Sequence, residues 1–331
     1  MTSPAILTES QIRSLVGPKE ALAAVRGGFA KLARGQVTLP DAVGFEVGEE
    51  RGEVHVKSGY LHGSPCYSIK IASGFYNNPA RGLPVGNGLV LVFDAQTGQL
   101  RTVLFDNGYL TELRTGAAGG LAAELLSKPD SARVGIIGCG SQARYQLEAI
   151  RDVRNIRDVV AYGRSADRAR RYAAEVKERF GLTVILARCA QEAVTGADIV
   201  VTTTPAHEPI VKAEWISHGA LVIAMGSDGP GKQELDPAIL ADADKIVVDN
   251  RKQCLKYGEM QHAASAGVEP DRIYAELGEI AAGMKPGRSS SEELIVVDLT
   301  GVGVQDAAVA NEVVAKASRL GLLRVVSEVP Q

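Results

Sequence analysis

The chain has 331 residues, 45% of them apolar and 23% charged, and its 36 basic residues nearly cancel 39 acidic ones for a formal net charge of −3. A chain of this length buries roughly three quarters of the surface that it exposes when unfolded, so it needs no metal or disulfide scaffold and is long enough for two domains. Without a dense basic run it carries no electrostatic footprint for nucleic acid. Its longest apolar stretches, such as 220–225 and 294–297, are far too short to cross a bilayer, and a cytoplasmic location is expected. Four widely spaced cysteines, Cys66, Cys139, Cys189 and Cys254, form no paired motif with the five histidines, so a zinc site or disulfide framework is not expected and the thiols read as reduced packing residues.

Taken in chain order, Thr8 is placed to cap a short helix, and Pro18 opens a second that carries Leu22, Val25, Phe29 and Leu32 at helical spacing. From Val54 to Phe105 the pattern changes to strands separated by Gly, Pro and Asn turns: VHVKSGYL, CYSIKIAS, GLVLVFDA and QLRTVLFD. A helix over 109–126 follows. Beyond Asp130, short Val/Ile/Leu/Ala runs alternate with helical segments: RVGIIG, DVVAYG, LTVILA, DIVVTTT, ALVIAMG, KIVVDN and LIVVDL. That alternation predicts an α/β fold with a doubly wound parallel sheet of Rossmann type, covered on both faces. The last helix, 306–320, is expected to return to the first region. The organisation read from the sequence is therefore a smaller α+β domain, 1–127 plus 308–331, into which a dinucleotide domain, 128–307, is inserted.

Strand RVGIIG runs into Gly138-Cys139-Gly140-Ser141-Gln142-Ala143, a GxGxxA turn that opens a helix. The first glycine makes the turn, the second admits a pyrophosphate to the backbone, and the small Ala143 lets helix and strand pack closely. The next strand ends at Tyr162-Gly163-Arg164-Ser165, where an NAD-specific site carries an acid. Arg164 and Ser165 suit a 2′-phosphate, a mild preference for NADPH over NADH, with Asp167 the alternative partner for a free ribose. The cofactor-binding set is Thr115, Gly138, Gly140, Ser141, Gln142, Arg164, Ser165, Thr203, Thr204, Met225, Ser227 and Gly301; no metal site is expected.

Candidate chemical groups lie in both regions. With a turn at Gly63-Ser64, Lys57 falls opposite Lys70, and His55 shares the face of Lys57. Opposed lysines repel, and a carboxylate between them removes the conflict. Pro65 lacks the N–H that a two-residue loop wants, so a slipped register, with Lys57 facing water, is the alternative. Lys70 sits among Tyr67, Ile69 and Ile71, and Arg114 on the apolar stripe of Leu110, Ala117 and Leu121, so both are buried cations in need of a partner. Gly116, Gly119 and Gly120 in that helix imply close approach by a ligand or another helix. Asp228, in the loop Gly226-Ser227-Asp228-Gly229-Pro230-Gly231-Lys232 after strand ALVIAM, is the acid/base candidate, its pKa expected to rise beside a desolvated nicotinamide; an Asp in such a turn also serves as a local cap. His207, His218 and His262 read as structural or surface residues.

SIKIASGF with Lys70, ELRTGAAGGLAA with Arg114, IGCGSQA, AMGSDGPGKQEL with Asp228, and LTGVGVQDAA together resemble the ornithine cyclodeaminase and mu-crystallin family, in its order and spacing. The resemblance implies a homodimer with its substrate site and dimer interface in the first domain and NAD(P) bound by the second. It also implies that Lys70 and Arg114 hold the substrate carboxylate while Asp228 handles protons. True ornithine cyclodeaminases carry a Glu where this chain has Lys57, which repels a distal ammonium and attracts a second carboxylate. Lys57, SGFYNNP and LTGVGVQD look most like the branch of ectoine-utilisation proteins and iminosuccinate reductase. The expected activity is NAD(P)H-dependent reduction of a small imino acid, foremost iminosuccinate to L-aspartate. A cyclodeaminase of ornithine or a related diamino acid, with Glu53 as amine acceptor, and a mu-crystallin-like nucleotide-dependent binding protein are the alternatives.

Overall fold

A computed structural model of the protein describes residues 4–323. The chain divides into two compact units, Met1–Arg114 with Val302–Gln331, and Thr115–Gly301. Residues 1–3 and 324–331, assigned to the first domain from the sequence, lie outside the described residues.

In the first unit, seven strands form one mostly antiparallel sheet. Its order is Ala5–Thr8, Leu100–Phe105, Gly86–Asp94, Cys66–Phe75, Gly52–Leu61 and Val37–Thr38, with Val43–Val47 also paired to Gly52–Leu61. Ala5–Thr8, read from the sequence only as the approach to a helix cap, joins Leu100–Phe105 in parallel. The hairpin register puts Lys57 across from Lys70, so the slipped alternative is not adopted. Helices Pro18–Ala33 and Gly303–Arg319 pack together over the inner face. Glycines permit that contact: a Cβ on Gly303 would stand 2.3 Å from the Ser58 carbonyl oxygen, and one on Gly28 3.1 Å from the Cβ of Ala308. On the outer face the rings of Tyr67 and Phe93 stack at 5.0 Å, and Ile6, Ile71 and Phe105 are exposed.

In the second unit, eight parallel strands run in the order Val184–Leu186, Asp158–Tyr162, Arg133–Ile137, Ile199–Thr202, Leu221–Ala224, Ile295–Asp298, Lys245–Val248 and Ile273–Glu276. The central strands are buried on both faces, as their continuous apolar runs require. Ile273–Glu276 and the two-stranded ribbon of His207–Val211 with Gln233–Leu235 are additions to the expected elements. The chain order reverses between Arg133–Ile137 and Ile199–Thr202, the switch point at which open α/β sheets bind ligands.

Helix Tyr109–Leu126 has the bounds expected from its pattern. Its glycines make room for helix Ser141–Val153: a Cβ on Gly119 would lie 1.7 Å from Gln146 Oε1, and one on Gly116 2.8 Å from the Cβ of Tyr145. Helix packing therefore accounts for them without a ligand. Cys66, Cys139 and Cys254 are buried free thiols, whereas Cys189 is exposed rather than packed. No described helix is long and apolar enough to cross a membrane.

Candidate active site

On the inner face of the antiparallel sheet, Lys57 and Lys70 are both buried, at 8% and 2% exposure, and Arg114 is 5% exposed. The group that answers them is Asp306, on helix Gly303–Arg319. Its Oδ1 lies 3.2 Å from Lys70 Nζ and accepts a 3.0 Å hydrogen bond from Arg114 Nε. Arg114 also donates to Gln305 Oε1 at 2.9 Å, and the same oxygen accepts from the Val302 amide at the helix start. Burial alone would raise the pKa of Asp306, but the charges of Arg114, Lys70 and Lys57 outweigh it and hold the carboxyl below its usual range. Burial lowers the pKa of Lys70 to about 7, an effect that Asp306 partly offsets and that Arg114 and Lys57 reinforce. The ammonium is thus poised to be held charged by an added anion. His55 Nε2 is 3.8 Å from Glu53 Oε2, and Tyr76 donates to Glu53 Oε1 at 2.7 Å, so the acid considered as an amine acceptor already engages two neighbours.

The glycine turn of the second unit has the form that a dinucleotide requires. Gly138 has φ +101°, a left-handed value, and a Cβ there would stand 2.7 Å from Thr203 Oγ1. Gly140 caps helix Ser141–Val153 without a side-chain hydrogen bond, and a Cβ at this position would meet nothing within 4 Å. Open space in front of a helix N-terminus fits a pyrophosphate. Arg144 braces the turn from below, donating to the carbonyls of Cys139 and Gly140 and pairing with Glu175. Thr203 donates from its amide to Ile137 O at 2.8 Å, which fixes it beside Gly138. Gln142 and Thr115 both accept from Gln146 Nε2, so each contributes to helix packing. Arg164 and Ser165 are exposed; Ser165 Oγ caps the following helix at the Arg168 amide, and Asp167 pairs with Arg170.

Asp228 sits in the expected loop, 2.8 Å from Lys232 Nζ. Its carboxylate accepts from that ammonium, and its side chain is 39% exposed. Beneath the loop, Glu234 is fully buried. It accepts from Thr202 Oγ1 at 2.6 Å and from the amides of Thr204 at 2.5 Å and Gly226 at 2.8 Å, tying together two strand ends that carry candidate cofactor residues. Ser227 Oγ donates to Lys232 O and Tyr257 O, while His262 and His207 meet the carbonyls of Lys232 and Gly231. Those two histidines thus brace the loop, a structural role as expected. Met225 is buried, its amide bonded to Thr202 O, and the Gly301 amide donates to Asp249 Oδ2.

Asp306, Gln305, Lys232, Glu234 and Arg144 were not among the sequence candidates. Asp306 had a usable signal: it lies on the stripe of Val309, Ala310 and Val313, and an acid there must meet a cation.

The sequence matches the ornithine cyclodeaminase/mu-crystallin family over residues 2–320. Among solved structures, an archaeal alanine dehydrogenase dimer with bound NAD superposes with a TM-score of 0.90 at 37% identity, covering 99% of this chain and 100% of the other. Δ1-pyrroline-2-carboxylate reductase of Thermococcus litoralis, in complex with NADH and L-proline, gives 0.92 at 32% identity over 97% and 100%. Iminosuccinate reductase of Paracoccus denitrificans with NAD+ gives 0.86 at 31% over 98% and 99%.

Proposed function

The chain belongs to the ornithine cyclodeaminase/mu-crystallin family, and from that premise we propose that it is an NAD(P)H-dependent imine reductase acting on a small, dicarboxylic imino acid, foremost iminosuccinate, to give L-aspartate. The observation that carries the reading is the register of Lys57 against Lys70 beside Arg114, three cations on one buried face. Each arm of a dicarboxylate then finds a cation. The similarity to iminosuccinate reductase supports the same substrate.

In this reaction the imine C=N gains a hydride at carbon and a proton at nitrogen. When bound, the nicotinamide supplies the hydride. Gly138, Gly140 and the amides of Ser141 and Gln142 would hold the pyrophosphate, with Thr203, Thr204, Met225, Ser227 and Gly301 lining the remainder of the cofactor site. Lys70 and Arg114 fix the α-carboxylate, Lys57 and His55 meet the distal acid, and Asp228 carries the proton to and from the nitrogen, with Lys232 setting its orientation. The first domain is the substrate and dimerisation domain, and its outward apolar face of Ile6, Ile71 and Phe105 suits a second copy of the chain. Arg164 is assigned to the 2′-phosphate of NADPH, so Arg164→Ala should raise the KM for NADPH and leave that for NADH nearly unchanged.

The test is oxidation of NADPH or NADH with oxaloacetate and concentrated ammonium, assayed for aspartate. Pyruvate with ammonium is the second arm, favoured by the likeness to an alanine dehydrogenase. Ornithine with catalytic NAD is the third. Ammonia and proline from ornithine without net oxidation would replace this reading with a cyclodeaminase, and nucleotide binding without turnover on any arm would replace it with a binding protein.

A further inference from the structure

Asp306 uses one of its two carboxylate oxygens. Oδ1 takes both Lys70 and Arg114, whereas Oδ2 is buried and has no hydrogen-bond partner among the described residues. A buried carboxylate oxygen without a donor is costly, and its neighbours identify the donor that would answer it. Lys70 and Arg114 are the cations to which the proposed function gives the α-carboxylate, and this inference rests on that reading. The nitrogen of an imino or amino acid is bonded to the carbon that bears this carboxylate. A group beside both cations is therefore beside the nitrogen.

We infer that Asp306 Oδ2 accepts a hydrogen bond from the substrate nitrogen, and that Asp306 is thereby the specificity-determining residue that admits imino acids and rejects the 2-oxo acids from which they form. An ionised carboxylate can only accept, and the N–H of an imine or an iminium can only donate to it. A ketone oxygen in the same place sets acceptor against acceptor, with no proton between them. Sites built around such a hydrogen bond reject the analogue that lacks it by large factors, about 10⁴ where both sides are buried. The reductase therefore leaves oxaloacetate or pyruvate intact until ammonium has converted it to the imine.

The experiment compares the wild type with Asp306→Asn, using oxaloacetate and pyruvate each with and without ammonium, and separates amino-acid from hydroxy-acid products by chromatography. The Asn oxygen still accepts from Lys70 and Arg114, while its amide nitrogen replaces Oδ2 with a donor. The expected result is that the wild type forms only amino acid and that the preference for imine over oxo acid falls by about 100-fold or more in the variant, with malate or lactate appearing. Equal loss of both activities, with the preference retained, would show that Asp306 only positions Lys70 and Arg114, and would overturn the inference. Calorimetric titration of the NAD+-loaded wild type with L-aspartate and oxaloacetate, and with L-alanine and pyruvate, whose ketone oxygen can only accept, provides a second measurement that needs neither turnover nor a folded variant. Tighter binding of the amine in either pair is expected, and equal affinities in both pairs overturn the inference. A wild type that reduces neither imine but prefers the amine in these titrations refutes the reductase reading and leaves the role of Asp306 intact.

Discussion

Lys57 stands directly across the strand pair from Lys70 with its side chain on the same buried face, and the electrostatic effect of each on the other is unfavourable. A sheet retains such a pair at a cost, and an anion that binds there recovers it.

The first expectation concerns Lys70. Because burial brings its pKa down to about 7, the free enzyme loses this positive charge as pH rises through neutrality. Inhibition by succinate, a dicarboxylate that cannot react, should weaken as pH is raised from 6 to 8.5. In Lys70→Met the pH dependence over this range should flatten, turnover should fall by at least about 100-fold, and fluorescence titration with NADH should remain unchanged. An unaltered pH profile in the variant would remove Lys70 from the site.

Lys57 tests the length and charge of the substrate. Lys57→Met should raise the KM for the oxaloacetate-derived imine about tenfold or more, one lost charge-assisted contact, and change that for the pyruvate-derived imine far less. Equal changes for both substrates would mean that Lys57 does not meet a distal carboxylate.

Two glycines separate cofactor binding from packing. In Gly140→Ala the added methyl meets nothing, at an ordinary φ of −82°, so the melting temperature should hold while nucleotide affinity drops sharply. Gly119→Ala forces a methyl onto Gln146 and should lower stability by about 1–3 kcal/mol, with little direct effect on affinity in the fraction that folds. Thermal melts and NADH titrations of the two proteins should show this crossed pattern.

The parallel-sheet unit also stores protons. Burial raises the carboxyls of Glu234 to about 7, Glu259 to about 9 and Asp298 to about 7, from ordinary values of 4.5, 4.5 and 3.8. Between those limits the folded state binds more protons than the unfolded state, so these groups contribute stability at low pH that is lost as pH rises through the folded values. Lys70 acts in the opposite sense, because its folded value lies below the ordinary 10.5 and its contribution to stability increases from about pH 7 upward. The melting temperature should fall between pH 5 and 9, and Glu259→Gln should make that slope shallower. A slope identical to that of the wild type would place these protons elsewhere.

Local pattern revealed the parts of this protein that depend on near neighbours. Alternation placed Lys57 opposite Lys70, and the buried stripe of helix Tyr109–Leu126 marked Arg114 as a cation without an apolar excuse. The GxGxxA turn was readable because strand, turn and helix are contiguous. Strand Ile273–Glu276 was not, since IYAE has neither an apolar run nor regular punctuation and becomes a strand only through its neighbour Lys245–Val248. Asp306 escaped for a related reason: its partners lie far away in the chain, and only tertiary packing shows that the unpaired cations and the unpaired acid answer one another. Lys232 and Glu234 were hidden by proximity to Asp228, which drew the chemical reading to itself.

The return of helix Gly303–Arg319 to the first unit has a consequence for biosynthesis. The contact between Arg114 and Asp306 spans 192 residues. On the ribosome, the strand bearing Lys70 and the helix bearing Arg114 emerge long before their counter-charge exists, and the whole parallel-sheet unit is made in the interval. Long-range contacts of this kind form late and slowly. A nascent chain that stops before Val302 has a complete glycine turn for the nucleotide but buries two cations without their acid, so ordering of the substrate face should be among the last events of folding.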